Sequence, residues 1–317
     1  MLEAGAFAAT FPDALRMIAI PVFIWAAWSD LKTRRISNRL WPPLIAIAVV
    51  ALALEGVDAF LAGGIVWRDF LIVTILSIGF LVPLAYGFWY LGGFGGADAK
   101  AIMVLAILFP SVPRYDLLDW VLPVTEPITG VFSLSILTNA VVIGLLYPVT
   151  LALYNAASGE YGWTMFVGRR IPVASTASVP GRLLESPDGV DLSGLDLDAL
   201  RMYLNWRGCT LDELRADPDR YRHQVPDDPG DPGDGAIADG GSTDDRWGAE
   251  AFLEAVDGSA YGTTPDLLRD GLDVLVERER VWYSPGIPFI VLIAAGLMIA
   301  VIYGDVFLNL LEWIGVG

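Results

Sequence analysis

The chain has 317 residues, of which 55% are hydrophobic, and a formal net charge of −17. A mean hydropathy of +0.54 points to a protein that crosses a bilayer several times and argues against an ordinary soluble domain. Its acidity leaves no reading as a nucleic-acid binder, and the lone Cys209 gives neither a disulfide framework nor a CxxC zinc site.

Taken in chain order, the apolar blocks predict membrane spans at about Ala14–Trp28, Leu40–Leu54, Phe70–Leu91, Ala99–Phe109, Ile128–Tyr154 and Ile287–Val301. A helix needs about 20 residues to cross the hydrocarbon core, so the second and fourth blocks are short. The fourth is counted as a span because six crossings close the topology consistently. The expected fold is therefore an all-α integral membrane protein of about six transmembrane helices, with a long acidic cytoplasmic insertion between the fifth and sixth. Glu3 and Asp13 replace the basic start of a signal peptide, so the first block is expected to be retained.

Orientation follows from the short turns. Lys32, Arg34, Arg35 and Arg39 follow the first block, Lys100 the third, and Arg169 and Arg170 the fifth. The intervening loops are expected to hold Arg68 and Arg114 with Glu55, Asp58, Asp69, Asp116, Asp119 and Glu126. Lys/Arg-rich short loops stay cytoplasmic, which places both termini outside a plasma-membrane protein. Trp25, Trp28 and Trp41 suit an interfacial aromatic belt on the cytoplasmic side.

Three regions result: a membrane core over 1–154, an insertion over 155–284 and a last transmembrane helix over 285–317. Residues 181–280 carry 24 Asp/Glu against ten Arg and no Lys. Such a segment stays hydrated where salt screens charge, so a salt-loving host is expected. Within it, Asp196–Trp206 is expected to be helical, stopping at Gly208. Thr210-Leu211-Asp212-Glu213 has capping-box spacing. Thr264-Pro265-Asp266 starts another helix, whose stripe of Leu268, Leu272, Leu275 and Val276 runs to about Arg280. Val225–Asp245, rich in Asp, Gly and Pro, is expected to be a disordered linker. The sole histidine, His223, lies beside Tyr221 and Arg222 in the same long polar segment, without a motif that would support Ser-His-Asp or Cys-His chemistry.

Two carboxylates carry the chemical argument. Asp30 ends the first apolar block and enters the turn Leu31-Lys32-Thr33-Arg34-Arg35-Ile36-Ser37-Asn38. Asp98 follows Gly92-Gly93-Phe94-Gly95-Gly96-Ala97 and precedes Ala99-Lys100. A carboxylate at a membrane boundary is costly, and two on one side can share a proton and work as an acid/base pair. The same residues also suit ion pairs with Lys32, Arg34, Arg35 or Lys100. The glycines give a backbone of unusual freedom and room for an extended chain to approach, or else a plain interhelical turn.

These segments resemble the signatures of the type IV prepilin peptidases. Asp30 with its basic spacer and Ile36-Ser37-Asn38 is similar to the first. Gly95-Gly96-Ala97-Asp98-Ala99-Lys100 is similar to the second, Gly-x-Gly-Asp-x-Lys, in its archaeal form. Ser284-Pro285-Gly286-Ile287-Pro288-Phe289 resembles a third segment of archaeal prepilin and preflagellin peptidases. Ser37 stands where the family has proline, and Ala97 where it has the second glycine. The resemblance implies a membrane aspartyl endopeptidase with catalytic Asp30 and Asp98, supported by Gly95, Gly96, Lys100 and Asn38. It implies no metal or cofactor, precursors of pilins or archaellins as partners, and cleavage at the cytoplasmic face. Without cysteine pairs, the N-methylating domain of bacterial relatives is not expected. A presenilin-like intramembrane protease, a carrier using buried carboxylates and a membrane scaffold are the competing readings.

Overall fold

The computed structural model describes residues 2–4, 7–33, 36–91, 93–127, 129–222, 245–256, 260–286, 288–313 and 315. The chain divides into two compact units, Met1–Tyr147 with Ile287–Gly317, and Pro148–Gly286.

In the first unit, Thr10 starts helix α1 (Phe11–Met17) by accepting the Asp13 N–H on its hydroxyl, with Pro12 in the first turn. Helix α2 (Ala19–Thr33) follows after Ile18, and the two make one membrane-length stretch, Phe11–Lys32. Ser37 then caps a 3-10 turn, Asn38–Leu40, through the Arg39 N–H at 3.3 Å. Its φ of −62° and ψ of 131° are angles proline itself adopts, so serine keeps the turn and adds a cap.

Helices α3 (Trp41–Ala62) and α4 (Gly64–Tyr90) are separated only by Gly63, at φ 65° and ψ −172°. The loop expected between them is helix instead: Glu55 and Asp58 lie in α3, Arg68 and Asp69 in α4. Two successive glycines with positive φ, Gly63 and Gly64, turn the chain there, so charged residues are carried on helix ends rather than in a loop. Trp41 also departs from the expected belt. It is buried at the start of α3 against Val22, Phe23 and Ala26 of α2, whereas Trp25 and Trp28 are exposed.

Beyond a first turn that carries Asp98 and Lys100, helix α5 (Gly96–Leu108) is apolar all round, with Ala99, Ala101, Ile102, Val104, Leu105 and Leu108 buried. Such a helix belongs inside a bundle, and α5 packs against α3, α4 and α12 (Phe289–Ile302). At 13 residues it is about 20 Å long, short of a bilayer's apolar thickness. Among the described residues, four helices are long and apolar enough to cross: Phe11–Lys32, Asn38–Ala62, Gly64–Tyr90 and Phe132–Ala157, the last being α6. Of the two remaining expected crossings, α5 and α12 are shorter and mostly buried. Strands β1 (Leu2–Ala4), β2 (Phe7–Ala9), β3 (Tyr115–Leu117) and β4 (Trp120–Leu122) form an antiparallel sheet in that order. Helix α13 (Val306–Trp313) follows a corner held by Asn139, whose amide donates to the Gly304 carbonyl at 2.8 Å and accepts the Val306 N–H.

The second unit has its own core and is not all-α. Strands β5 (Arg169–Pro172), β9 (Arg280–Ser284) and β6 (Arg182–Leu183) make an antiparallel sheet in the order β5-β9-β6. Strands β7 (Glu185–Ser186) and β8 (Gly189–Val190) form a hairpin. Strands of two to five residues are too short to print an alternating pattern in the sequence, so the sheet is a departure from the expected all-α fold. The helices are α7 (Leu197–Arg207), α8 (Leu211–Ala216), α9 (Pro218–Arg222), α10 (Ala249–Ala255) and α11 (Pro265–Glu277). Three of their starts follow the sequence cues. Asp196 caps α7 through the Asp198 N–H, the Thr210–Glu213 capping box opens α8, and Thr264 caps α11. Leu183, Leu200, Tyr203, Trp247, Phe252 and Leu272 close the core.

Of the segment expected as a linker, residues 225–244 lie outside the described residues, as does His223, but Asp245 is an anchor. Its carboxylate accepts the Glu250 N–H at 3.1 Å and the Ala251 N–H at 3.3 Å, and pairs with Arg269 at 2.9 Å. Burial pushes this carboxyl up, but those amides and the guanidinium outweigh burial and hold it below the usual carboxylate range. A depressed folded pKa contributes stability above the ordinary carboxylate range, and that contribution is lost as pH falls through the folded value. Asp245→Asn is thus expected to lower the melting of the 148–286 unit by several degrees at pH 7 and by little near pH 3. Limited proteolysis of the full chain against temperature checks this; equal midpoints at pH 7 would remove the anchor.

Candidate active site

Helix α2 delivers Asp30 in its last turn, half-buried, between the exposed Trp28 and Lys32. The Lys32 ammonium lies over the Trp28 ring, 3.9 Å from its centroid, a cation–π contact between residues one turn apart. Asp98 is the third residue of α5 and is also half-buried. Its carboxylate reaches back to accept the Gly95 N–H at 3.2 Å, satisfying a donor that a helix start leaves open. The two carboxylates, far apart in sequence, lie within electrostatic reach of each other.

The motif residues beside them also meet. The Lys100 ammonium donates to the Asn38 side-chain carbonyl at 2.7 Å, tying the turn after α2 to the first turn of α5. Lys32 thus engages Trp28, and Lys100 engages Asn38. Arg34 and Arg35 lie outside the described residues.

The glycines work by space rather than by unusual dihedrals. Gly95 has φ −66° and ψ 154°, which any residue adopts, and neither Gly93 nor Gly96 has a positive φ. A Cβ on Gly95 would stand 3.0 Å from the Asp98 carboxylate oxygen, tighter than ordinary contact. On Gly96 it would meet only the Trp89 indole nitrogen, at 3.7 Å. Gly92 is outside the described residues.

A second polar cluster, not foreseen from the sequence, lies about 20 Å away along α1–α2, by the rise of an α-helix. Arg16, only 1% exposed, pairs with Asp13 at 2.7 Å and with Glu55, and donates to the Leu108 carbonyl at 2.7 Å. Ser111 donates to Glu55. The available signal was a charged residue inside the first apolar run, Arg16, and another at the very end of the second, Glu55. A cavity of about 450 Å³ opens beside it, lined by Asp13, Arg16, Glu55, Asp58 and Asp69. Neither Asp30 nor Asp98 lines that cavity. Its two best-buried carboxylates are compensated by one shared guanidinium, the arrangement of a structural ion pair rather than of an acid/base pair.

Comparison with known proteins matches two segments of the chain to a peptidase family. Residues 17–149 match the type IV leader peptidase family, and residues 262–306 match the archaeal peptidase A24 C-terminus of type II. A preflagellin peptidase of Methanocaldococcus jannaschii is 25% identical over 178 residues, 51% of this chain and 69% of that protein. A preflagellin peptidase of Methanococcus voltae is 30% identical over 159 residues, 47% of this chain and 64% of that protein. The first match spans Asp30, Asn38, Gly95, Gly96, Asp98 and Lys100, and the second spans Ser284–Phe289. Both family segments match in order, and Asn38 and Lys100 of the first are bonded to each other, so over residues 17–149 and 262–306 the chain is similar to the type IV leader peptidase family.

Proposed function

We propose that this protein is a membrane aspartyl endopeptidase that removes short basic leader peptides from prepilin or pre-archaellin precursors. The observation that carries the reading is the Lys100–Asn38 bond, which joins the turn after Asp30 to the helix start bearing Asp98 within the family-matched region. Two neighbouring carboxylates do not both ionise cheaply, so they hold one proton between them. The ionised member takes a proton from water as it attacks the scissile carbonyl, and the protonated member donates to the carbonyl oxygen. Gly95 and Gly96 add no side chains of their own beside Asp98. A precursor helix lying beside the enzyme's spans brings its leader junction to this boundary.

The cytoplasmic face is supported by the Lys/Arg of the turns bearing both aspartates, Lys32, Arg34, Arg35 and Lys100. In the full topology α5 and α12 act as the short fourth and sixth crossings, and the 148–286 unit is the cytoplasmic insertion. Its excess of Asp/Glu attracts basic leaders where salt is low.

Membranes containing the protein, incubated with a tagged prepilin or pre-archaellin, are expected to shorten it by the length of its leader. An unchanged precursor would favour a carrier or scaffold. Chelators and serine- or cysteine-directed reagents are expected to leave the reaction intact, because carboxylates activate water directly. If a chelator stopped cleavage and added Mg²⁺ restored it, Asp30 and Asp98 would be metal ligands and the aspartyl assignment would fall.

A further inference from the structure

The loop that precedes Asp98 is anchored by one aromatic side chain. The Phe94 ring lies between those of Phe88 and Phe289, with centroids 4.9 Å from each and interplanar angles of 29° and 25°. Its backbone is fixed as well. The Phe88 carbonyl accepts the Gly93 N–H at 2.8 Å and the Phe94 N–H at 3.2 Å. A Cβ on Gly93 would come within 3.1 Å of the Phe88 ring, so a small residue is what lets the turn close. The next amide along, that of Gly95, is the one that holds the Asp98 carboxylate. Phe289 begins α12, so the stack joins the end of α4, the loop and the last membrane helix at one point.

We propose that Phe94, clamped between Phe88 and Phe289, is a positioning residue that fixes the Gly95 amide and through it the direction of the Asp98 carboxylate. The role for Asp98 rests on the peptidase reading above. A stacked ring resists sliding and tilting in a way that an aliphatic side chain of similar volume does not. The last helix thereby takes part in the site without supplying a reacting group. Small displacements of an acid/base group cost rate more than affinity, because substrate binding is spread over many contacts while proton transfer is not.

Three variants in the full-length protein test this: Phe94→Leu, Phe94→Tyr and Phe289→Leu. Two readouts are needed, precursor cleavage kinetics and amide exchange at Gly95. Phe94→Leu is expected to lower kcat about tenfold with KM within about twofold, and to strip protection from the Gly95 amide. Phe94→Tyr restores both readouts. Phe289→Leu matches Phe94→Leu, and the double variant is no worse than either, since both remove one stack. Wild-type kcat and Gly95 protection in Phe94→Leu would overturn the proposal, as would a change confined to KM. If the wild-type protein cleaved no precursor, the peptidase reading would fail separately, and Gly95 exchange alone would decide the brace. Protection lost in Phe94→Leu and regained in Phe94→Tyr would uphold it, and unchanged protection would reject it.

Discussion

Asp30→Asn and Asp98→Asn should each lower precursor cleavage by roughly 10²–10⁴-fold while leaving insertion into the membrane intact, the range that one general acid or base supplies. Each substitution removes a titrating group and keeps nearly the same shape. At Asp98 the replacement has a further advantage as a probe. The carboxylate serves the Gly95 N–H as well as the proposed chemistry, and an asparagine side-chain carbonyl can accept that same bond. The start of α5 should therefore survive, and a loss of rate would report on protonation rather than on folding. Cleavage of a tagged precursor at matched membrane levels, with a melting curve for each variant, makes the comparison. Wild-type-like processing by either variant would end the assignment of these two residues as a catalytic pair.

Gly95→Val should be nearly inactive, about 10²-fold down in kcat, whereas Gly96→Ala should stay close to wild type. The asymmetry comes from the geometry. At Gly95 even one added carbon stands 3.0 Å from the Asp98 oxygen, so the carboxylate has to move or give up its amide. Valine adds two further carbons and is a poor N-cap residue. At Gly96 the added methyl meets the Trp89 indole nitrogen at an ordinary 3.7 Å. Gly95→Ala should accordingly be impaired more than Gly96→Ala, and Gly96→Val should fall between. Cleavage rates for the four variants check the order. Full activity in Gly95→Val would reduce this turn to a connector.

Much of this protein was legible in its sequence where local rules suffice. Long apolar runs gave the membrane character, because a bilayer rewards uninterrupted hydrophobicity irrespective of partners. Asp196, Thr210 and Thr264 marked three helix starts, because a cap is an interaction among four neighbouring residues. The motif order around Asp30, Asp98 and Phe289 pointed to the family that the comparisons then supported. Ser37 in place of proline read as a departure, yet its backbone sits at proline's own angles.

Features that depend on partners distant in sequence were decided only by tertiary structure. Glu55 looked like a loop residue until its place in α3 against Arg16 gave it a buried counter-charge. Trp41 looked interfacial until α2 packed over it. The strands of the second unit are too short to carry a period, and their pairing joins β5 to β9 across more than a hundred residues. The same holds at the candidate site. Sequence supplied the residue types, but the Lys100–Asn38 bond and the Phe94–Phe289 stack each require separate elements to be brought together. Local chemistry is written in neighbouring residues, whereas the distance between two helix ends is set by the packing of everything between them.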